Sequence, residues 1–180
     1  MVTKVQIGVP GHADAKAVVV MGVAGSGKTA VGKALADALG WRYIEGDEFH
    51  PPENIARMSQ GHPLTDADRA GWLDAIGNEL AAALAHGESG IAACSALKRE
   101  YRNRLRRLVP SLRILYLEID PQTARERVAG RRNHFMPASL VESQFADLMP
   151  PAEDEQVLVL DARKPVATLV AEARPFAEAQ

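Results

Sequence analysis

Short apolar runs and longer amphipathic stretches alternate along this chain. Val18-Val19-Val20-Met21 is the first run, continuous and β-branched, as a strand buried on both faces is. Residues 30–39 follow with Ala, Leu and Val at helical spacing, and Gly40 suits the position just past a helix end. Trp41–Glu45 reads as a second strand, and 53–60 and 66–86 as helices, with Thr65 or Asp66 to cap the longer one. A third strand is expected over Gly90–Cys94, a basic helix over Lys98–Leu108 and a fourth strand over Arg113–Ile119. Pro121 opens the next helix, where a missing N–H is tolerated. A helix over 137–148, a last strand over Val157–Leu160 and a closing helix over 165–178 complete the pattern.

This alternation predicts an α/β fold of three layers, a parallel sheet with helices on both faces. Ligands of such folds bind beyond the carboxyl ends of the strands, so candidate chemistry is expected in the loops that follow them. The first loop reads Gly22-Val23-Ala24-Gly25-Ser26-Gly27-Lys28-Thr29. A Gly, four residues and then Gly-Lys-Thr, between a strand and a helix, is the P-loop pattern. Gly25 and Gly27 let the backbone turn its N–H groups inward, and the helix N-terminus adds partial positive charge, which together make a phosphate cradle. Lys28 is expected to reach the β- and γ-phosphates of a nucleotide, and the Thr29 hydroxyl to ligate Mg²⁺. The alternative is a glycine-rich turn that binds nothing.

A length of 180 residues allows one sizeable core and is short for two domains. One domain over 17–180 is expected behind a loose leader, 1–16, which contains Gly8, Pro10 and Gly11. The net charge of −2 gives no basic excess for nucleic acid and no polybasic run for a membrane surface. No apolar run nears the ~20 residues of a membrane span. Cys94 is the only cysteine, so no disulfide framework exists and a reducing, cytoplasmic setting is expected. Cys94 itself reads as a small buried filler, with no paired base to make it a nucleophile.

Glu45-Gly46-Asp47-Glu48-Phe49-His50 follows the second strand, and Ser95-Ala96-Leu97-Lys98 the third. With the P-loop, these clusters are expected to converge on one cleft. Asp47 is the carboxylate expected to face the γ-phosphate and take a proton from a hydroxyl nucleophile. Its alternatives are to cap the following helix or to order Mg²⁺ through water. Glu45 is expected near the metal or in solvent. The third strand ends in Cys94-Ser95 rather than in a metal-binding Asp, which points away from motor-type ATPases and toward small-molecule kinases.

Three segments carry a family resemblance: GDEFHPPENIARMSQGHPLTDADRAGWL (Gly46 to Leu73), CSALKREYRNRLR (Cys94 to Arg106) and RRNHFMPASLVESQF (Arg131 to Phe145). With the P-loop they span about 18–161, and they closely resemble the bacterial gluconokinases of the thermoresistant type. The resemblance implies ATP-dependent phosphorylation of D-gluconate at its terminal hydroxyl, giving 6-phospho-D-gluconate. It also implies a homodimer with the fold of nucleoside monophosphate kinases and shikimate kinase: a five-stranded parallel sheet, a helical acceptor-binding region and a lid. Three places depart from the family pattern. Ala24 stands where Ser is frequent, Gly71 where Pro usually precedes Trp72, and Met149-Pro150 where an acidic residue often precedes Pro151.

Gluconate has one carboxylate and a row of hydroxyls, so its pocket needs cationic and two-way hydrogen-bonding groups. The candidates are His50, Asn54, Arg57, Asp66, Asp68, Arg69, Ser95 and Lys98. Arg69 is expected either to clamp the carboxylate with paired N–H donors or to pair with Asp66 or Asp68. Lys98 and Arg102 share one helix face, which lets both look into the cleft, and a solvated face is the expectation for Arg102. Trp72, Leu73 and Ile76 read as core. Arg125, Arg127, Arg131 and Arg132 form a dense basic cluster after the fourth strand. By analogy with the fold, Arg127 and Arg131 are expected to contact ATP and stabilise charge on the transferring phosphoryl group, and Phe135 and Met136 to help exclude water. The competing readings are shikimate kinase or another small-acid kinase, and a nucleotide-binding regulatory switch. CSALK stands where shikimate kinases carry a glycine triplet, and no Asn-Lys-x-Asp guanine signature is present.

Overall fold

Alternate side chains of the first strand, β1 (Ala17–Met21), enter two different cores. Val18 and Val20 pack with Val31 and Leu35 of α1 (Lys28–Leu39), Ala124 and Val128 of α5 (Pro121–Ala129), and Leu169 and Ala173 of α7 (Val166–Glu178). Ala17, Val19 and Met21 pack with Trp72, Leu73, Ile76 and Leu80 of α3 (Asp66–Ala85) and with Tyr101 and Leu105 of α4 (Arg99–Leu108). A strand covered on both faces has no polar side, so its sequence is continuously apolar rather than alternating.

The computed structural model describes residues 15–130 and 139–179. The expected leader falls outside the described residues over 1–14, as do Arg131, Arg132, Phe135 and Met136. The other strands are β2 (Arg42–Glu45), β3 (Gly90–Ala93), β4 (Arg113–Glu118) and β5 (Val157–Asp161). All pairings are parallel, in the order β2-β3-β1-β4-β5. The remaining helices are α2 (Pro52–Ser59) and α6 (Ser139–Asp147). The five-stranded parallel sheet with helices on both faces is as expected. Boundaries move by a residue or so, and Thr65 is the cap of α3, in a reciprocal capping box with Asp68.

One residue was misjudged. Arg102 is neither solvated nor in the cleft; it is fully buried. Its Nε and Nη2 donate to Glu155 Oε2 and Oε1 at 2.6 and 2.8 Å, and its Nη1 donates to the carbonyls of Ala96 and Leu97 at 3.2 and 3.0 Å. A buried guanidinium persists only when a counter-charge and hydrogen bonds replace its water. The partner is 53 positions away, beyond any helix-face pattern.

Candidate active site

The strand order reverses at β1, so its carboxyl end opens onto the crevice at a topological switch point. The glycine-rich loop sits there, and its glycines have separate reasons. Gly25 and Gly27 hold φ +86° and +95°, where side chains are strained. A Cβ on Gly25 would also stand 2.6 Å from the Ala124 carbonyl oxygen of α5, so that helix packs directly on the loop. A Cβ at Gly27 would meet nothing within 4 Å, which leaves open space beside the residue that caps α1. Ser26 Oγ is buried without a hydrogen-bond partner among the described residues. An open, donor-lined turn at a helix N-terminus fits phosphate oxygens. Around it, Lys28 Nζ donates to the Val23 carbonyl at 3.0 Å, and Arg127 Nη1 to the Gly25 carbonyl at 3.3 Å.

Asp47 lies in a 3-10 turn, Gly46–Phe49, directly after β2. It does not cap α2, whose N-cap is Pro51. A Cβ on Gly46 would stand 2.1 Å from the Ala93 carbonyl oxygen, so only glycine lets this turn approach β3. Trp72 Nε1 donates to the Gly46 carbonyl at 2.7 Å and fixes the turn from α3. The His50 ring stacks on Trp72 with centroids 4.2 Å apart. Burial, with the Arg69 charge nearby, lowers the His50 pKa to about 4, so the imidazole is neutral at physiological pH. Its Nδ1 is buried without a partner among the described residues.

One cavity is lined by Lys28, Thr29, Asp47, His50, Arg69 and Ser95 together with Ala24, Gly27 and Glu45. Asn54, Arg57 and Lys98 do not line it. Asn54 is buried and donates to the Asp68 carbonyl at 2.9 Å, while Arg57 pairs with the Asp68 carboxylate at 3.1 Å. Lys98 pairs with Asp66 at 2.7 Å, and that hydrogen bond raises the lysine's pKa and lowers the aspartate's. Arg69 pairs with neither Asp66 nor Asp68. Its Nη2 donates to Asp147 at 3.3 Å and its Nε to the Leu64 carbonyl at 3.3 Å. Thr29 Oγ1 donates to Glu45 Oε2 at 2.9 Å, and the Tyr43 hydroxyl donates to the same oxygen at 2.8 Å. Among the described residues, no three His, Cys, Asp or Glu side chains form a metal-holding group. Cys94 is buried, and burial pushes its thiol up to about 12, which suits an inert filler.

The sequence reading missed Gln144, which lines the cavity and accepts the Ala24 N–H on Oε1 at 2.6 Å. It stands in the last of the three resembling segments, yet a glutamine in an amphipathic helix carries no local signal. Met58, Leu64 and Trp72 supply apolar wall.

The phosphate loop at the switch point and the acceptor-side groups across the same cavity make this the P-loop kinase fold. A family model described as an AAA domain matches residues 18–151. The chain is 47% identical to a gluconokinase of Gluconobacter oxydans (strain 621H), over 81% of this chain and 82% of that one. It is 40% identical to the thermosensitive gluconokinase of Escherichia coli (strain K12), over 87% and 84% of the two chains. A crystal structure of a gluconokinase from Sinorhizobium meliloti 1021 superposes with a TM-score of 0.81 at 44% identity, over 91% of this chain and 92% of that one. The chain belongs to the gluconokinase family.

Proposed function

We propose that the protein transfers the terminal phosphoryl group of ATP to the 6-hydroxyl of D-gluconate, giving 6-phospho-D-gluconate. The observation that carries this is the shared cavity: in a chain of this family, Lys28 and Thr29 open on the same space as Asp47, His50, Arg69 and Ser95. The loop from Gly22 to Thr29 binds the phosphates through backbone N–H groups, and Lys28 stabilises charge on the transferring group. Arg127 joins it from α5. Thr29, with Glu45 beside it, would hold Mg²⁺, an ion that needs few protein ligands. The ion would neutralise phosphate charge there.

On the acceptor side, Asp47 orients the 6-hydroxyl and takes its proton. Arg69 receives the carboxylate, since its planar fork matches that group better than an ammonium does. His50, as a neutral imidazole, and Ser95 exchange hydrogen bonds with the hydroxyl row. Asn54 and Arg57, held by Asp68, and Lys98, held by Asp66, stand outside the cavity lining. A homodimer completes the reading and rests on the family resemblance, and a cytoplasmic setting rests on the single cysteine, Cys94. No described helix is long and apolar enough to cross a membrane.

The test is a coupled assay. With Mg-ATP and gluconate, 6-phosphogluconate should form and be oxidised by its dehydrogenase, while shikimate, glycerate and nucleoside monophosphates stay poor acceptors. Equal turnover of shikimate would refute the assignment.

A further inference from the structure

Two side chains from different helices hold consecutive residues of the phosphate loop. Arg127 of α5 donates to the Gly25 carbonyl at 3.3 Å, and Gln144 of α6 accepts the Ala24 N–H at 2.6 Å. One turn further along α6, Asp147 accepts from Arg69 at 3.3 Å and lies 3.6 Å from Lys98. Residues three apart share a helix face. One face of α6 therefore touches the phosphate loop at position 144 and the acceptor-side cations at position 147. The chain leaving α6 adds a third tie, from the Met149 N–H to the Leu97 carbonyl at 3.0 Å.

Gln144 is 8% exposed and lines the cavity with Lys28, Thr29, Asp47 and Arg69. Ala24 offers an N–H, so the amide oxygen has to be the end that meets it, and this fixes which way the carboxamide is turned. A neutral acceptor satisfies the loop without bringing negative charge to a space that receives phosphates. A carboxylate would satisfy the same N–H and repel the ligand.

We propose that Gln144 is a positioning residue for phosphoryl transfer. It holds the Ala24 stretch of the loop in its phosphate-receiving conformation. The inference rests on the kinase reading above, and nucleotide binding tests it without an acceptor.

The experiment compares Gln144→Leu, which removes the acceptor, with Gln144→Glu, which keeps it and adds charge. Titration calorimetry with Mg-ATP should show Gln144→Leu weakened at least about fivefold, with kcat lowered about tenfold or more and the KM for gluconate within about twofold of wild type. Gln144→Glu should melt near wild type at pH 5 and lower at pH 8, because burial raises the pKa of the new carboxyl. Its ATP affinity, relative to wild type at each pH, should fall about tenfold near pH 8 and recover near pH 5 as the new carboxyl takes up a proton. A lowered melting temperature for Gln144→Leu with unchanged ATP affinity and kcat would mean a merely structural contact and overturn the proposal. So would wild-type ATP binding by Gln144→Glu at every pH. A wild-type protein that binds ATP but ignores gluconate would count against the acceptor assignment alone.

Discussion

Arg102 and Glu155 meet in a bidentate ion pair sealed from solvent, with Nε–Oε2 and Nη2–Oε1 at 2.6 and 2.8 Å and side-chain exposures of 0% and 2%. The same guanidinium holds the Ala96 and Leu97 carbonyls, and so shapes the loop that carries Ser95 and Lys98. Ala96 itself sits at φ +43°, a conformation that needs such support. Removing Arg102 strips Glu155 of its bidentate partner and leaves it with Arg106 Nη1 at 3.3 Å and the Ala152 N–H at 3.1 Å, so the cost falls toward the lower end of about 3–5 kcal/mol. Arg102→Leu should therefore lose that much stability in urea denaturation and melt about 10 °C lower, at roughly 2–4 °C per kcal/mol for a domain of this size. A loss below about 0.5 kcal/mol, the range of surface substitutions, would contradict the buried pair.

On the proposed role of Lys28, Lys28→Ala should leave the fold intact and reduce kcat by orders of magnitude, because the ammonium would act on charge that grows in the transition state. Retention of more than about a tenth of the wild-type rate, a loss of only ~1.4 kcal/mol, would contradict the role of the loop. Circular dichroism beside the coupled assay separates the two effects.

Asp47→Asn keeps the shape of the side chain and removes the proposed base. Loss of a general base costs about 10²–10⁴-fold, and a loose, metaphosphate-like transition state favours the lower end. Gluconate-dependent kcat should fall by about 10²-fold while ATP affinity measured by calorimetry stays near wild type. Near-normal kcat would remove Asp47 from the catalytic groups.

His50 makes stability depend on pH. The unfolded chain takes up a proton near pH 6.5 and the folded imidazole only near pH 4, so between these values the unfolded state binds more protons. Stability should therefore fall as the pH is lowered through that window, by at most about 3 kcal/mol from this residue. Glu155 adds to the acid side: its pKa is held down to about 2, first by the hydrogen bond from Arg102, so its contribution is lost only as pH falls from about 4.5 through 2. Urea denaturation of His50→Gln against wild type at several pH values isolates the histidine. Parallel curves would mean that His50 titrates normally.

Two glycines should respond in opposite directions to alanine. At Gly71, exposed on α3, a Cβ meets nothing within 4 Å, so Gly71→Ala should gain about 0.5–1 kcal/mol from helix propensity alone and raise the melting temperature by about 2 °C. At Gly46 the Cβ would stand 2.1 Å from a β3 carbonyl oxygen, and Gly46→Ala should destabilise the protein and displace Asp47, lowering kcat as well. Differential scanning calorimetry with the coupled assay checks both signs.

The sequence by itself determined what is encoded within one strand, one turn or one helix. The continuous apolar run of β1 and the helical spacing of α1 gave the layers, because burial on both faces or on one stripe imposes its own period. The P-loop was legible because eight neighbouring residues, Gly22 to Thr29, make the phosphate cradle with their own backbone. The place of Asp47 on the cavity wall was legible for a similar reason, since strand ends in a parallel sheet face the crevice. The tertiary structure decided the pairings. Gln144 meets Ala24 across 120 positions, Arg69 meets Asp147 across 78, and Arg102 meets Glu155 across 53. The strand order β2-β3-β1-β4-β5 was likewise not written in any local pattern. Local sequence sets dihedral preference and which face is buried. Which polar group meets a buried cation or a loop N–H depends on how distant helices pack, and a helical period does not record that.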